Sequence, residues 1–210
     1  MTDTRRKSGD GLPRVFTIGF NKCGTRTIHW YFKSNGYEAV HWDSGNLADS
    51  IFKNLINSEP LLSGYEEFEI FSDMENITGD FAFEAYKLYA YLDSGYPGSA
   101  FILNTRDIEN WIRSRLEHGN GGYARKWKRL LNLETERELI VHWRQDWERH
   151  HEKAERYFAQ TGSRFLKFNI EVDGPELINQ ALPEYQLDLE KYVPRGRSSG
   201  RAAKPDGIGA

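Results

Sequence analysis

Two short stretches of this chain carry residue types and spacings suited to holding phosphate. In the first, VFTIGFNKCGTRTIHW, an apolar run ends at Gly19, a glycine-containing loop follows, and a helix pattern opens at Thr25. Successive backbone N–H groups in such a loop form a concave anion nest, and the helix start adds the positive end of its dipole. Lys22 sets a mobile ammonium inside the loop, Arg26 a second cation, and Thr25 and Thr27 hydroxyls; Asn21, Cys23 and Gly24 complete it. A Walker A loop would carry Lys directly after its last glycine and then Ser or Thr for magnesium. Here Lys22 precedes Gly24 by two positions and Thr25 follows that glycine. Cys23 invites a nucleophile reading, since a helix N-terminus lowers a thiol pKa. No His or Asp partner can be assigned to it from sequence, and a small residue filling the loop is the simpler account.

The second stretch is FILNTRDIENWIRSR. Arg106 falls where the most apolar run of the chain ends, and Ser114 lies about two turns into the helix that follows. A guanidinium fork and a hydroxyl can meet one phosphate from those positions. Asp107 reads as the helix cap, and Trp111 as core rather than a platform for a base.

A transfer reaction also needs a base. His41 ends a β-type run in EAVHWD, with Asp43 beyond it, and Asp73 ends another in EIFSDMEN, followed by Glu75. His41 has the near-neutral intrinsic pKa a base wants, whereas Asp73 requires burial to raise its own. Capping or structural pairing is the alternative for each.

The elements needed to position these residues alternate along the chain. Strands are predicted at Arg14–Ile18, Tyr37–Trp42, Glu67–Ser72, Ala100–Thr105 and Arg164–Asn169. Helices are predicted at Thr25–Ser34, Leu47–Asn57, Phe81–Asp93, Ile108–Glu117, Glu134–Gln160 and Pro175–Leu182. Such alternation implies right-handed crossovers and an α/β fold with a mostly parallel sheet flanked by helices. Ligands of such sheets sit at the carboxyl ends of the strands, where Gly19–Thr25, His41–Asp43, Asp73–Asn76 and Arg106 all fall. The expected organisation is a polar leader at 1–13, a single domain at 14–193, and a Gly/Arg-rich tail at 194–210.

At 210 residues, with 28% charged and 14% aromatic side chains, the composition is that of a globular domain, and a net charge of −3 gives no global reason to expect nucleic-acid binding. No run is long and apolar enough for a membrane helix, and the start does not read as a signal peptide. The single cysteine rules out an internal disulfide and fits a reducing compartment. A cytoplasmic protein is the expectation.

Two further clusters have a plainer reading than a site. His142, Asp146 and His150 have helical spacing that can hold a metal, but read as the solvated shoulder of the Trp143/Trp147 stripe. Arg113, Arg115, Arg125, Lys126, Lys128 and Arg129 form a basic group, either steering anions to the site or making a solvated face.

Taken together, the two phosphate stretches resemble those of sulfotransferases that use 3′-phosphoadenosine-5′-phosphosulfate (PAPS). The order Lys22-Cys23-Gly24-Thr25 resembles their 5′-phosphosulfate loop. Arg106 with Asp107 after it and Ser114 eight positions on resembles their 3′-phosphate site. The segment from His142 to Leu182 resembles their closing helix, strand, acidic-Gly turn and short helix, so the likeness spans roughly residues 14–182.

The resemblance implies a three-layer P-loop fold and in-line transfer of a sulfuryl group from PAPS to a hydroxyl or amine of a small-molecule or saccharide acceptor, without a metal. It gives Lys22 to the 5′-phosphate and the bridging oxygen. It also puts the base at the end of the second or third strand, which favours Asp73 slightly, with His41 as rival or partner. A late basic segment often closes over the 3′-phosphate in the family; Arg195-Gly196-Arg197 and Arg201 offer one here but depart from the usual pattern, and a disordered tail is the favoured alternative. The competing readings are a P-loop nucleotide kinase with a degenerate loop and a non-catalytic nucleotide-binding protein.

Overall fold

Short runs of alternating apolar residues make the sheet of this protein, and each run gives its two sides to different helices. The structure, a computed structural model, describes residues 11–195. Its strands β1 (Val15–Thr17), β2 (Ala39–His41), β3 (Ile70–Ser72), β6 (Ala100–Thr105) and β7 (Arg164–Asn169) form one sheet in the order β2-β3-β1-β6-β7. All its neighbours pair parallel. Successive strand residues face opposite sides. Val15, Ile70, Ala100 and Ile102 therefore pack with Ile28, Tyr31 and Phe32 of α1 (Thr25–Ser34) and Ile178 of α7 (Glu176–Ala181). On the other face Phe16, Phe71, Phe101 and Leu103 meet α2 (Asn46–Ile56), α3 (Tyr89–Gly95), α4 (Ile108–Leu116), α5 (Gly122–Leu131) and α6 (Glu136–Thr161). The result is the three-layer α/β arrangement expected from the alternation, with the sheet parallel throughout.

Two segments depart from the sequence expectation. The helix predicted over Phe81–Asp93 is instead an antiparallel hairpin of β4 (Glu75–Ile77) and β5 (Ala82–Glu84), a 3-10 turn at Ala85–Leu88, and α3. Thr78 sets the turn, its hydroxyl accepting from the Asp80 and Phe81 amides. Phe81 and Phe83 then both land on Phe52 of α2, at 5.5 and 5.0 Å between ring centroids. That is a period of two residues, which only a strand supplies. The sequence predicts no element between Glu117 and Glu134, where α5 forms.

The His142–Asp146–His150 face is also not a solvated shoulder. Asp146 and His150 are buried: Asp146 pairs with Lys87 (2.7 Å) and Arg149 (3.0 Å), and His150 Nε2 lies 2.6 Å from the Ile18 carbonyl oxygen. Among the described residues no group of three or more His, Cys, Asp or Glu side chains is placed to hold a metal ion. No helix among them is long and apolar enough to cross a membrane.

Candidate active site

The strand order reverses at β1, which lies between β3 and β6, so the crevice expected of an open parallel sheet opens beyond its carboxyl end. A cavity of about 1230 Å³ occupies that place. Asn21, Lys22, Gly24, Thr25, Arg26, Thr27, His41, Asp73 and Arg106 all line it. Residues from four separate strand ends, far apart in sequence, thus share one space.

The loop after β1 is shaped by β6. The Gly19 amide donates to Asn104 Oδ1 (2.9 Å), and Asn104 Nδ2 donates to the Cys23 carbonyl (3.1 Å). A Cβ on Gly19 would stand 1.9 Å from the Asn104 carbonyl oxygen, so only glycine fits. Gly24 has φ +81°, and a Cβ there would meet Ile170 at 2.6 Å. Lys22 also has positive φ, 66°, an uncommon conformation for a residue with a Cβ and one that clusters at functional sites. Cys23 is wholly buried, and that burial pushes its thiol well above the ordinary range. It fills space in the loop, its thiol disfavoured from ionising.

Electrostatically the loop is primed for an anion. Burial lowers the Lys22 pKa, Asp73 opposes that shift, and Arg26 and Arg106 add to it. Three cations therefore converge at a helix N-terminus, and an incoming phosphate relieves their mutual repulsion. Thr27 is partly engaged already: the Arg195 amide donates to its hydroxyl at 2.9 Å. The Arg195 guanidinium lies 4.6 Å from the Trp30 ring centroid, and Pro194 and Arg195 line the cavity. The remaining tail positions, Gly196, Arg197 and Arg201, lie outside the described residues.

Asp73, which follows β3 directly and also lines the cavity, has φ 56°. Its Oδ2 is 3.5 Å from His41 Nε2, while His41 Nδ1 lies 3.0 Å from Ser72 Oγ. This is not a charged pair. Burial, helped by His29 and Arg26, lowers the His41 pKa to about 3, so the imidazole is neutral. Burial raises Asp73 to about 6 against the pull of Lys22. Its Oδ1 is buried and has no partner among the described residues, and the same holds for Glu75 Oε2.

Sequence reasoning passed over the network around Glu75. Glu75 Oε1 accepts from Asn21 Nδ2 (2.7 Å) and from the Tyr123 hydroxyl (3.0 Å). Arg115, fully buried, donates to Asn21 Oδ1 (2.9 Å) and to Tyr123 (2.5 Å). Its guanidinium carbon lies 4.7–5.7 Å from the ring centroids of Phe20, Trp111, Tyr123, Trp127 and Trp143. Burial raises the Glu75 pKa to about 8, with the Asp73 charge adding and Arg115 opposing. Nothing in a run of basic residues marks Arg115 as the buried one. The basic group divides: Lys126 reaches the cavity and donates to the Ile77 carbonyl (3.1 Å), and Arg129 pairs with Asp80 on the surface.

Arg106 lines the cavity, and Asn110, one helical turn on, lines it too. Ser114 does not: it is 7% exposed, on the face of α4 that also buries Trp111 and Arg115. Trp111 is core as expected, its Nε1 donating to the Asn21 carbonyl at 3.1 Å.

With this geometry in view, the family can be assigned. The family model of the sulfotransferase domain matches residues 14–198, most of the chain. The protein belongs to the sulfotransferase family. None of the curated proteins matches it. For a sulfotransferase, the cavity lining is chemically apt: Lys22, Arg26 and the start of α1 supply positive charge, and Asp73 supplies a carboxylate in the same space. The turn Trp42–Gly45, where all four residues have positive φ, brings Trp42 to the cavity with 47% of its surface exposed.

Proposed function

We propose that this protein moves a sulfuryl group from PAPS to a hydroxyl or amine of a small-molecule or saccharide acceptor. The observation that carries the reading is that Lys22 and Asp73, both in left-handed backbone conformations, line one cavity whose size suits two substrates side by side. The loop residues fit a 5′-phosphosulfate: Gly19 and Gly24 leave no room for a side chain, and the Lys22 ammonium forms no hydrogen bond with another described residue, its carbonyl alone accepting from Arg106. PAPS supplies an activated sulfuryl group whose leaving group is a phosphate.

Lys22, Arg26 and the start of α1 neutralise charge that grows on that phosphate as its bond to sulfur breaks. Asn21, Cys23, Gly24, Thr25 and Thr27 shape the loop around it. Asp73 takes the proton from the acceptor oxygen or nitrogen as its bond to sulfur forms. Its pKa of about 6 keeps it largely ionised at neutral pH yet basic enough to act. His41, neutral and 3.5 Å away, orients that carboxylate rather than competing with it. Arg106, with Asn110 and the start of α4, receives the 3′-phosphate, and Ser114 stands behind them on the same helix.

Calorimetric titration with 3′-phosphoadenosine-5′-phosphate (PAP), using ATP and AMP as controls, tests the donor. Binding that requires the 3′-phosphate and not Mg²⁺ is the expected result. A Mg²⁺-dependent preference for ATP would replace this reading with a nucleotide kinase.

A further inference from the structure

The anion position at the start of α4 already holds a negative charge from the protein itself. Glu171 Oε1 accepts from Arg106 Nε (3.0 Å), Arg106 Nη2 (2.6 Å) and Asn110 Nδ2 (3.1 Å). Its Oε2 accepts from the Asp107 amide at 2.9 Å. One carboxylate thus collects the guanidinium fork, a side-chain amide and a helix N-terminal N–H. Those are the donors that recognise phosphate. Burial alone would raise the Glu171 pKa, but the Asp107 and Arg106 hydrogen bonds outweigh it and hold the carboxyl below its ordinary range.

The turn that carries Glu171 does not depend on this contact. The Glu171 amide donates to Asn169 Oδ1 (3.0 Å), the Asn169 amide to Asp173 Oδ2 (2.7 Å), and the Ile170 amide to the Thr105 carbonyl (3.0 Å). The Glu171 side chain, 28% exposed, can therefore swing into solvent while the backbone stays in place. Arg106 is also tied from behind, its Nη1 donating to the Lys22 carbonyl at 3.2 Å. It remains aimed at the site when the carboxylate leaves.

We propose that Glu171 is an internal displacing anion: it yields Arg106, Asn110 and the α4 amide to the 3′-phosphate of the bound nucleotide, and retakes them to expel the spent PAP. This rests on the assignment of Arg106 to the 3′-phosphate. The consequence is selective. A nucleotide with a 3′-phosphate must break the Glu171 contacts to bind, whereas one with a free 3′-hydroxyl leaves them intact. Glu171 therefore weakens binding of PAP and not of AMP, and it shortens the lifetime of the product complex, a step that limits turnover in many enzymes.

The test is titration and stopped-flow dissociation of PAP and AMP with the wild-type protein, Glu171→Gln and Glu171→Ala. Both variants are expected to bind PAP about tenfold more tightly, the order expected when a charge-assisted competitor is removed, with the gain in a slower off-rate. AMP affinity should stay within about twofold, a contrast that a merely structural role would not produce. In an Arg106→Ala background the Glu171→Gln change should have no further effect. Unchanged or weaker PAP binding in both variants would overturn the inference while leaving the donor assignment intact. Equal gains for PAP and AMP would overturn it as well. Failure of the wild-type protein and both variants to bind PAP would remove the donor assignment and this inference together.

Discussion

Replacing Arg115 with methionine removes a charge that has no access to water. Methionine keeps much of the volume inside the cage of five rings and restores some sulfur–aromatic contact, about 0.3–1.5 kcal/mol each. What it cannot restore is the pair of donated hydrogen bonds. Asn21 Oδ1 and the Tyr123 hydroxyl each lose a donor, and Glu75 loses the positive charge that lowers its pKa. Breaking a buried ionic network from one side costs about 3–5 kcal/mol. For a chain of this size that corresponds to a fall in melting temperature of about 6–20 °C.

The loss must also depend on pH, with a sign that can be worked out. The folded-state pKa of Glu75 is about 8, above its ordinary value of 4.5, so the folded protein holds a proton that the unfolded chain releases, and stability falls as pH rises between those values. Without Arg115 the folded pKa moves higher still. The penalty of Arg115→Met should therefore grow as pH passes about 8, and adding Glu75→Gln should return part of it and flatten the pH dependence. Urea unfolding at pH 6, 7.5 and 9 measures all three proteins. A cost under about 1 kcal/mol, or one that is the same at every pH and in the Glu75→Gln background, would refute the idea that Arg115 and Glu75 are coupled.

Three other outcomes are expected. Lys22→Ala should lower kcat by about 10²–10³-fold, the usual loss when one fixed stabiliser of developing charge is removed, and steady-state assays with an identified acceptor will measure it. The activity of the wild-type protein should rise as pH climbs through about 6, where the Asp73 carboxylate forms. Asp73→Asn should abolish that limb, whereas a limb surviving in this variant would move the base elsewhere. Gly19→Ala should abolish PAP binding in calorimetry, because its Cβ would stand 1.9 Å from the Asn104 backbone oxygen and force the phosphate loop off β6.

Much of the frame was legible because its signals are local. Thr25–Ser34 is bounded by Gly24 and by Asn35-Gly36, and Ala100–Thr105 and Arg164–Asn169 are apolar-rich runs ended by polar residues; all three elements form with those bounds. The hairpin from Glu75 to Glu84 escaped because its strands are three residues each and Phe81 and Phe83 are held by Phe52, far upstream in the chain. Where the sequence put Arg106 beside Ser114, α4 turns Ser114 inward with Trp111 and presents Asn110 to the cavity. Glu171 was equally hidden, since an acidic residue in an acidic turn is unremarkable until β7 brings it across to Arg106.

The network of Asn21, Glu75, Arg115 and Tyr123 has a consequence for how this protein can change over generations. Each member satisfies a buried group of another, so a substitution at one position leaves a partner stranded and is tolerated only if others follow. Those four residues should therefore be inherited as a block, and the cavity floor with them. Trp42 and Ser44 line the same space but carry no such obligation, and Trp42 stands half in solvent. New acceptors should be won by drift at that rim, above a floor that is slow to move.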